Sequence, residues 1–396
     1  MKKILVYVPS LFLLSINALV PVISDIAASF PQVSASTVQL IVSLPSIVAI
    51  LSILLAGRLS FIMAKQTIVF ASLLCMLLGG VLPFFFHRTM TALLVWSMLF
   101  GFGLGGISPL STALIKEAFP PEQHGAAIGA QAAVAGAGGM LFSFLGGRLS
   151  SNGWHHAYLS YLLILPALVC VIFLPSKREI KAGSCRIANL LSPILVFYIA
   201  CGFFLGVFTY AFHTNISLFI RQNGIGDTGI AGNMTTLFSA AGILGGMLTG
   251  LCIRKFRSFT LTVCMWCAAA GLLLLWTARS AVLAGIAASV FGLAFSLRMP
   301  SGYLQVTRVT PEVYSTMAIT FFCCSVQAGN CLSPFLLSIA NHAGSASGLA
   351  ANKILAASIG LAMLGLISFT AEKVFALNYQ KASRVQKKDE MPEKMD

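Results

Sequence analysis

The 396-residue chain is 58% hydrophobic and only 9% charged, with a mean hydropathy of +0.91 and a formal net charge of +14. A typical soluble domain carries about 25% charge, so the composition excludes a water-soluble globular protein and describes an integral membrane protein. The basic excess is distributed along the chain in short loops and tails, which reports topology rather than nucleic-acid binding.

Runs of about 20 apolar residues suffice to cross about 30 Å of hydrocarbon at 1.5 Å per residue. Twelve occur, at 4–24, 38–57, 67–86, 89–113, 125–147, 156–175, 193–220, 230–252, 259–277, 281–306, 315–340 and 350–372. The first follows Met-Lys-Lys, but no small-residue cleavage site precedes Asp25, so it reads as a transmembrane helix rather than a secretory signal. Lys and Arg stay on the cytoplasmic side. Nineteen of the 25 fall on the side of the two termini, five on the opposite side, and Arg298 falls inside a span, so both termini are expected in the cytoplasm. Most of the ten cysteines lie within spans, so no disulfide framework is expected. The C-x-x-C of Cys264 and Cys267 reads as packing rather than metal or redox chemistry.

Residues 176–192, "SKREIKAGSCRIANLLS", hold the most polar internal stretch and form the expected cytoplasmic linker. They divide the chain into a six-helix half at 1–175 and another at 193–376, followed by a basic cytoplasmic tail at 377–396 that reads as disordered. The halves echo each other. "FGLGGISPLSTALIKEAFPPEQHG" followed by "GGMLFS" recurs about 190 residues later as "FGLAFSLRMPSGYLQVTRVTPEVYS" followed by "GNCLSP". Internal symmetry of this kind marks secondary transporters, whose sites lie near the midplane between the repeats.

Four stretches carry a family resemblance: "LAGRLSFIMAKQ" after span two, "LFGFGLGGISPLSTALIKEAFPPEQHGAAIG" across spans four and five, "GAGGMLFSFLGGRLS" in span five, and "GWHHAYLSYLL" entering span six. On these the chain resembles the major facilitator superfamily, in particular its twelve-helix bacterial drug and metabolite efflux branch, over nearly its whole length. The resemblance implies an all-α membrane fold of two pseudo-symmetric six-helix halves, working as a monomer in a bacterial inner membrane. It also implies alternating access, a small-molecule substrate and protons as the coupling partner, with no cofactor, no metal, no nucleic acid and no enzymatic activity.

Several family motifs are broken. The loop after span two keeps Gly57, Arg58 and Lys65, but Phe61 stands where the family's aspartate is expected. Ser97 stands where span four of the family has an arginine implicated in proton coupling. In span five Gly138, Gly146 and Gly147 match the antiporter signature, whereas Phe142 and Ser143 replace its central glycine and proline. Span eleven keeps more of that centre, with Gly329, Ser333 and Pro334. The resemblance gives these matching residues conformational roles. "GFGLGG" at 101–106 and "GIGDTG" at 224–229 fit a dinucleotide fingerprint by letter only, because neither follows a strand. The first reads as close helix packing and the second as an outer turn.

None of the eleven acids falls in the middle third of a span. The candidate proton-coupling groups are therefore Asp25, at the outer end of span one, and His213, whose type titrates near neutrality. Arg298 lies eight to ten residues from the inner boundary, about 12 to 15 Å deep. An arginine there costs about 2.5–3.5 kcal/mol on insertion scales unless something satisfies it. Arg298, Ser301 and Gln305 share one helical stripe. Asn17, Gln131, Tyr210, His213, Gln327 and Asn330 add polar groups to spans one, five, seven and eleven. These are the expected lining of a substrate path, with Arg298 meeting a carboxylate, phosphate or other electron-rich group of the cargo. The expected activity is proton-coupled export of a small, partly apolar organic compound, a drug or metabolite, with an anion as the cargo that Arg298 would suit. Uptake of an organic anion, and a transporter-shaped sensor that binds without transporting, are the alternatives.

Overall fold

The computed structural model describes residues 5–60, 62–120, 123–174, 192–256, 259–310, 315–342 and 350–389. The expected linker, apart from Ser192, and Phe61 lie outside the described residues. Twelve α-helices follow in chain order: α1 (Ile23–Ser29), α2 (Ala35–Leu59), α3 (Lys65–Phe85), α4 (Met90–Ala118), α5 (His124–Leu149), α6 (Ile164–Ile172), α7 (Pro193–Gln222), α8 (Thr228–Phe256), α9 (Thr260–Thr277), α10 (Ala281–Arg308), α11 (Ser315–His342) and α12 (Ala350–Asp389). Side-chain oxygens start four of them. Ser34, Thr89, Ser192 and Ser280 accept the backbone N–H three residues on, at 3.2–3.3 Å, and so satisfy one free donor at the starts of α2, α4, α7 and α10.

Among the described residues eleven helical stretches are long and apolar enough to cross a membrane. The twelfth is the first span, and here the expectation of one continuous helix at 4–24 is corrected. That span consists of two tight 3-10 stretches, Val8–Phe12 and Ser15–Ala18, followed by α1 at a bend of 45°. Pro21 lies in the break; its ring nitrogen has no proton for the helical ladder, which is a sufficient cause of a kink. Span six likewise opens as a 3-10 run, Trp154–Leu163, before α6. At the other end of the chain the backbone of α12 continues to Asp389, well past the expected boundary at 372, so the tail begins as helix.

Each half has its own packing. In the first, α4 lies against α2 and α3; in the second, α10 lies against α8 and α9, while α7 packs on α11 and α12. The glycines of "GFGLGG" serve close approach, as expected. A Cβ on Gly101 would sit 2.4 Å from Pro45, one on Gly105 2.4 Å from Ala49, and one on Gly103 2.3 Å from the Ser72 carbonyl. Gly224, in the outer turn, has φ +63°, a conformation that costs glycine little. Cys264 is a packing residue whose thiol reaches the Ala294 carbonyl at 3.0 Å, and Cys267 is exposed.

The halves meet chiefly through α5 against α8 and α2 against α11. Gly138 and Gly146 of α5 press on the first span instead. A Cβ there would lie 1.8 Å from the Leu11 carbonyl oxygen and 2.0 Å from that of Ala18. Gly329 of α11 repeats the device in the second half, 2.0 Å from the Phe203 carbonyl oxygen of α7. Gly147 faces Gly232 of α8, a crossing made of two bare backbones.

Candidate functional site

The two halves are joined by polar contacts from the rim opposite the termini down to the centre of the bundle. At the rim, Arg221 Nη1 donates to Asp25 Oδ1 at 2.7 Å and to the Ser24 carbonyl at 3.3 Å, while the Thr228 hydroxyl holds the other carboxylate oxygen. The Ser217 hydroxyl donates to the Pro21 carbonyl, and Ser36 pairs with Ser338 at 2.7 Å. Deeper, Gln39 Nε2 donates to the Thr214 carbonyl at 2.9 Å and to Asn215 Oδ1 at 2.8 Å. The Tyr210 hydroxyl donates to the Val42 carbonyl at 2.8 Å, and Asn17 Nδ2 donates to Ser239 Oγ at 3.2 Å. Ser143 and Thr235 share a hydrogen bond across the α5–α8 crossing. These contacts run from the rim to the centre; towards the termini, Gly57, Gly129 and Gly250 have open space where a Cβ would lie.

Arg298 sits where this seam ends. It is 7% exposed. Its Nη1 donates to Thr209 Oγ1 of α7 at 3.0 Å, and its guanidinium carbon lies 3.9 Å from the centre of the Phe295 ring, a cation–π geometry. The same ring is 5.1 Å from the imidazole of His213, which stacks on Tyr210 at 5.1 Å and 13°. Arg298 Nε has no protein partner, and among the described residues no carboxylate lies within ion-pair distance of the guanidinium. A buried guanidinium bound only by a hydroxyl and an aromatic face retains capacity for a planar, bidentate acceptor.

Around it lie other buried polar atoms without protein partners: Asn17 Oδ1, Gln39 Oε1, Ser43 Oγ, His213 Nδ1, Ser301 Oγ and Asn330 Oδ1. Buried polar groups are paired in the great majority of cases, so their concentration along the seam singles it out. Asn330 Nδ2 donates to Gln327 Oε1 at 2.8 Å, which keeps that amide pair on α11 beside the seam. Pro334, one turn on, lacks the N–H that would bond the Asn330 carbonyl, so α11 is locally free of one ladder bond there.

The structure separates the expected site residues. Arg298, Tyr210 and His213 come together around Phe295, and Asn17 reaches Ser239 across the halves, whereas Gln327 and Asn330 pair with each other on α11. Gln131 does not reach across: it donates to Ser111 Oγ at 2.9 Å and to Thr112 at 3.1 Å inside the first half. Asp25 belongs to the rim pair. Arg58 is exposed, whereas Lys65 is buried and bonded to Glu117 of α4 at 2.6 Å, an ion pair inside the first half that ties α3 to α4 near the eroded loop. Ser97 is buried with no partner for its hydroxyl, in the interior of the first half. A recess of about 410 Å³ opens at the rim opposite the termini, lined by Gly147, Arg148, Asp227 and Asn233 among others, and not beside Arg298. Sequence reasoning missed Thr209, Phe295, Gln39 and Ser239. Gln39 had a signal, being a lone amide in an apolar run; Thr209 and Phe295 acquire meaning only once α7 and α10 are packed together.

Comparison with known proteins agrees with this architecture. The family model described as Major Facilitator Superfamily matches residues 6–334. No curated relative matches in sequence. Among solved structures, similarity extends to a bacterial homolog of the human lysosomal transporter Spinster, in an inward-facing and unoccupied conformation. It has 16% identity and a TM-score of 0.68, over 99% of this chain and 98% of that one. A D-xylose–proton symporter matches at 16% identity and TM-score 0.71, over 92% and 96%. The nucleoside transporter NupG, as a point mutant, matches at 11% and 0.73, over 93% and 99%.

Proposed function

Since the chain belongs to the major facilitator superfamily and is a multi-pass membrane transporter of its fold, we propose that it exports a small, partly apolar organic anion from the cytoplasm by proton-coupled alternating access. The observation that carries the cargo class is Arg298. It holds a permanent charge near mid-membrane, has no carboxylate partner among the described residues, keeps a free Nε, and is framed by Phe295 and the rings of Tyr210 and His213. A cargo with a carboxylate or phosphate would complete the guanidinium's bonds, and its apolar body would replace ring contacts. The seam supports a resting form closed at the rim far from the termini and open on their side. With the termini in the cytoplasm, the orientation that the Lys and Arg distribution favours, that form receives cargo from the cell interior.

The test is accumulation of radiolabelled compounds in sealed, energised inverted membrane vesicles, with an anionic, neutral and cationic panel, wild type beside Arg298→Gln. Proton-gradient-driven accumulation of anions, lost selectively in the variant, is expected. Accumulation only in right-side-out vesicles would reverse the direction to uptake. Unaltered anion transport by Arg298→Gln would remove the arginine from the cargo site.

A further inference from the structure

We propose that Glu372 is the proton-binding group of this transporter, exchanging its proton with the side of the bundle that carries the termini. The proposal deepens the export reading and rests on it only for the use made of the proton. Glu372 is 4% exposed and is the only buried carboxylate among the described residues. It lies at the end of the membrane-crossing part of α12, next to exposed Lys373. The sequence places it at a span boundary, where an acid reads as a flanking charge. The fold covers it with α9 and α10.

Its hydrogen-bond partners are neutral. Oε1 accepts from Gln305 Nε2 of α10 at 3.3 Å and from Ser368 Oγ one turn back at 3.3 Å; Oε2 accepts from Thr262 Oγ1 of α9 at 3.4 Å. The titratable and charged groups facing it are Tyr198 and Cys201 of α7 and Arg308 of α10. From α9 it meets only the Thr262 hydroxyl, and from α11 no charged group among the described residues. Neither Arg308 nor Lys373 comes within the 4.0 Å of an ion pair. Such a shell can hold either form of the acid. A serine or threonine hydroxyl donates to a carboxylate and, after rotating, accepts from a carboxylic O–H, and a glutamine amide offers both a donor and an acceptor. A proton can therefore arrive from water at the open end and bond to one carboxylate oxygen while no helix moves.

The location links this group to the centre. Gln305, Ser301 and Arg298 lie on one face of α10, and all three are buried. Seven residues of helix place the backbones of Arg298 and Gln305 about 10 Å apart. Loading Glu372 removes a negative charge from the inner end of the stripe whose other end holds the cargo's counter-charge. On charge alone the loaded form favours the cargo anion, the sign of co-transport, so export by exchange requires the proton to leave Glu372 before the cargo binds.

The experiment is infrared difference spectroscopy of the full-length protein, titrated with acid in sodium-free vesicles of bacterial phospholipid and without any cargo. Wild type is expected to show a titrating carboxyl C=O band that is lost in Glu372→Gln and kept in Asp25→Asn. Thr262→Val, which removes one donor and leaves the acid, is expected to change the proton affinity by about fivefold, the effect of one hydrogen bond of about 1 kcal/mol. A band unchanged in Glu372→Gln overturns the proposal, as does a titration whose midpoint follows added sodium, which would mark a metal-cation site. If Glu372→Gln does not fold, an unmoved midpoint in Thr262→Val overturns it. Because no transport is measured, failure of the export reading leaves this outcome readable.

Discussion

Arg298 was legible from one fact, a cation stranded in an apolar run, and the structure gives the physics of its survival there. A hydroxyl and an aromatic face hold two sides of the guanidinium, so the insertion cost is met in part before any cargo arrives. Arg298→Lys keeps the charge but loses the planar fork and the stack on Phe295. Transport of anionic cargo should weaken by about 10- to 100-fold in KM, the range of a lost charge-assisted hydrogen bond of about 1.5–3 kcal/mol. Vesicle uptake checks this, with monodispersity on gel filtration reporting the fold. Glu372 was illegible for a complementary reason. Its neighbours in sequence place it at a helix end, and only the tertiary positions of Thr262 and Gln305 make that end an interior. His213 had the right chemistry for a switch in the sequence, but in the fold it is enclosed by the rings of Tyr210, Phe212, Phe238 and Phe295.

The existence and order of the spans were legible by hydropathy, most of them to within a few residues, because a membrane span is a length criterion. Their internal geometry was not. Hydropathy counts methyl groups and says nothing about which carbonyl a given N–H bonds, so the 3-10 turns of spans one and six went unseen. The glycines were expected to matter as a group, and the packing ranks them. Gly138→Ala and Gly146→Ala drive a methyl group into a carbonyl oxygen of the first span, so each should destabilise the folded protein by at least the roughly 1–3 kcal/mol of an overpacked core. Gly57→Ala meets nothing within 4 Å and should leave stability unchanged. Thermal unfolding in detergent, followed by tryptophan fluorescence, separates the two outcomes.

For the whole molecule, the repeat of "FGLGG" in span four as "FGLAF" in span ten announced two halves, and the distribution of charge carries the proposal for their orientation. Which end is closed could not be read, because closure depends on pairings between residues more than 150 positions apart, such as Gln39 with Asn215 and Tyr210 with Val42. Asp25 shows what was lost. Alone in the sequence it invited a proton-coupling role; in the fold it clasps Arg221 across the halves, with side chains 29% and 51% exposed. Pairs so exposed contribute about 0.2–1 kcal/mol. Asp25→Asn should therefore shift the balance towards an open outer rim by no more than about fivefold. Cysteine accessibility at the rim, compared in wild type and variant, checks the size of that shift.

The make-up of the seam also bears on the setting in which such a protein works. Below the rim it is stitched by hydroxyls, amides and carbonyls, none of which carries a net charge. Mobile ions screen charges across distances of about 8–10 Å at ordinary ionic strength and have little purchase on neutral dipoles buried in protein. Salt in the medium that bathes the rim opposite the termini would slacken the Asp25–Arg221 clasp and leave the deeper stitches intact. The cadence of opening and closing is thereby insulated from osmotic weather, and only the outermost few ångströms register it.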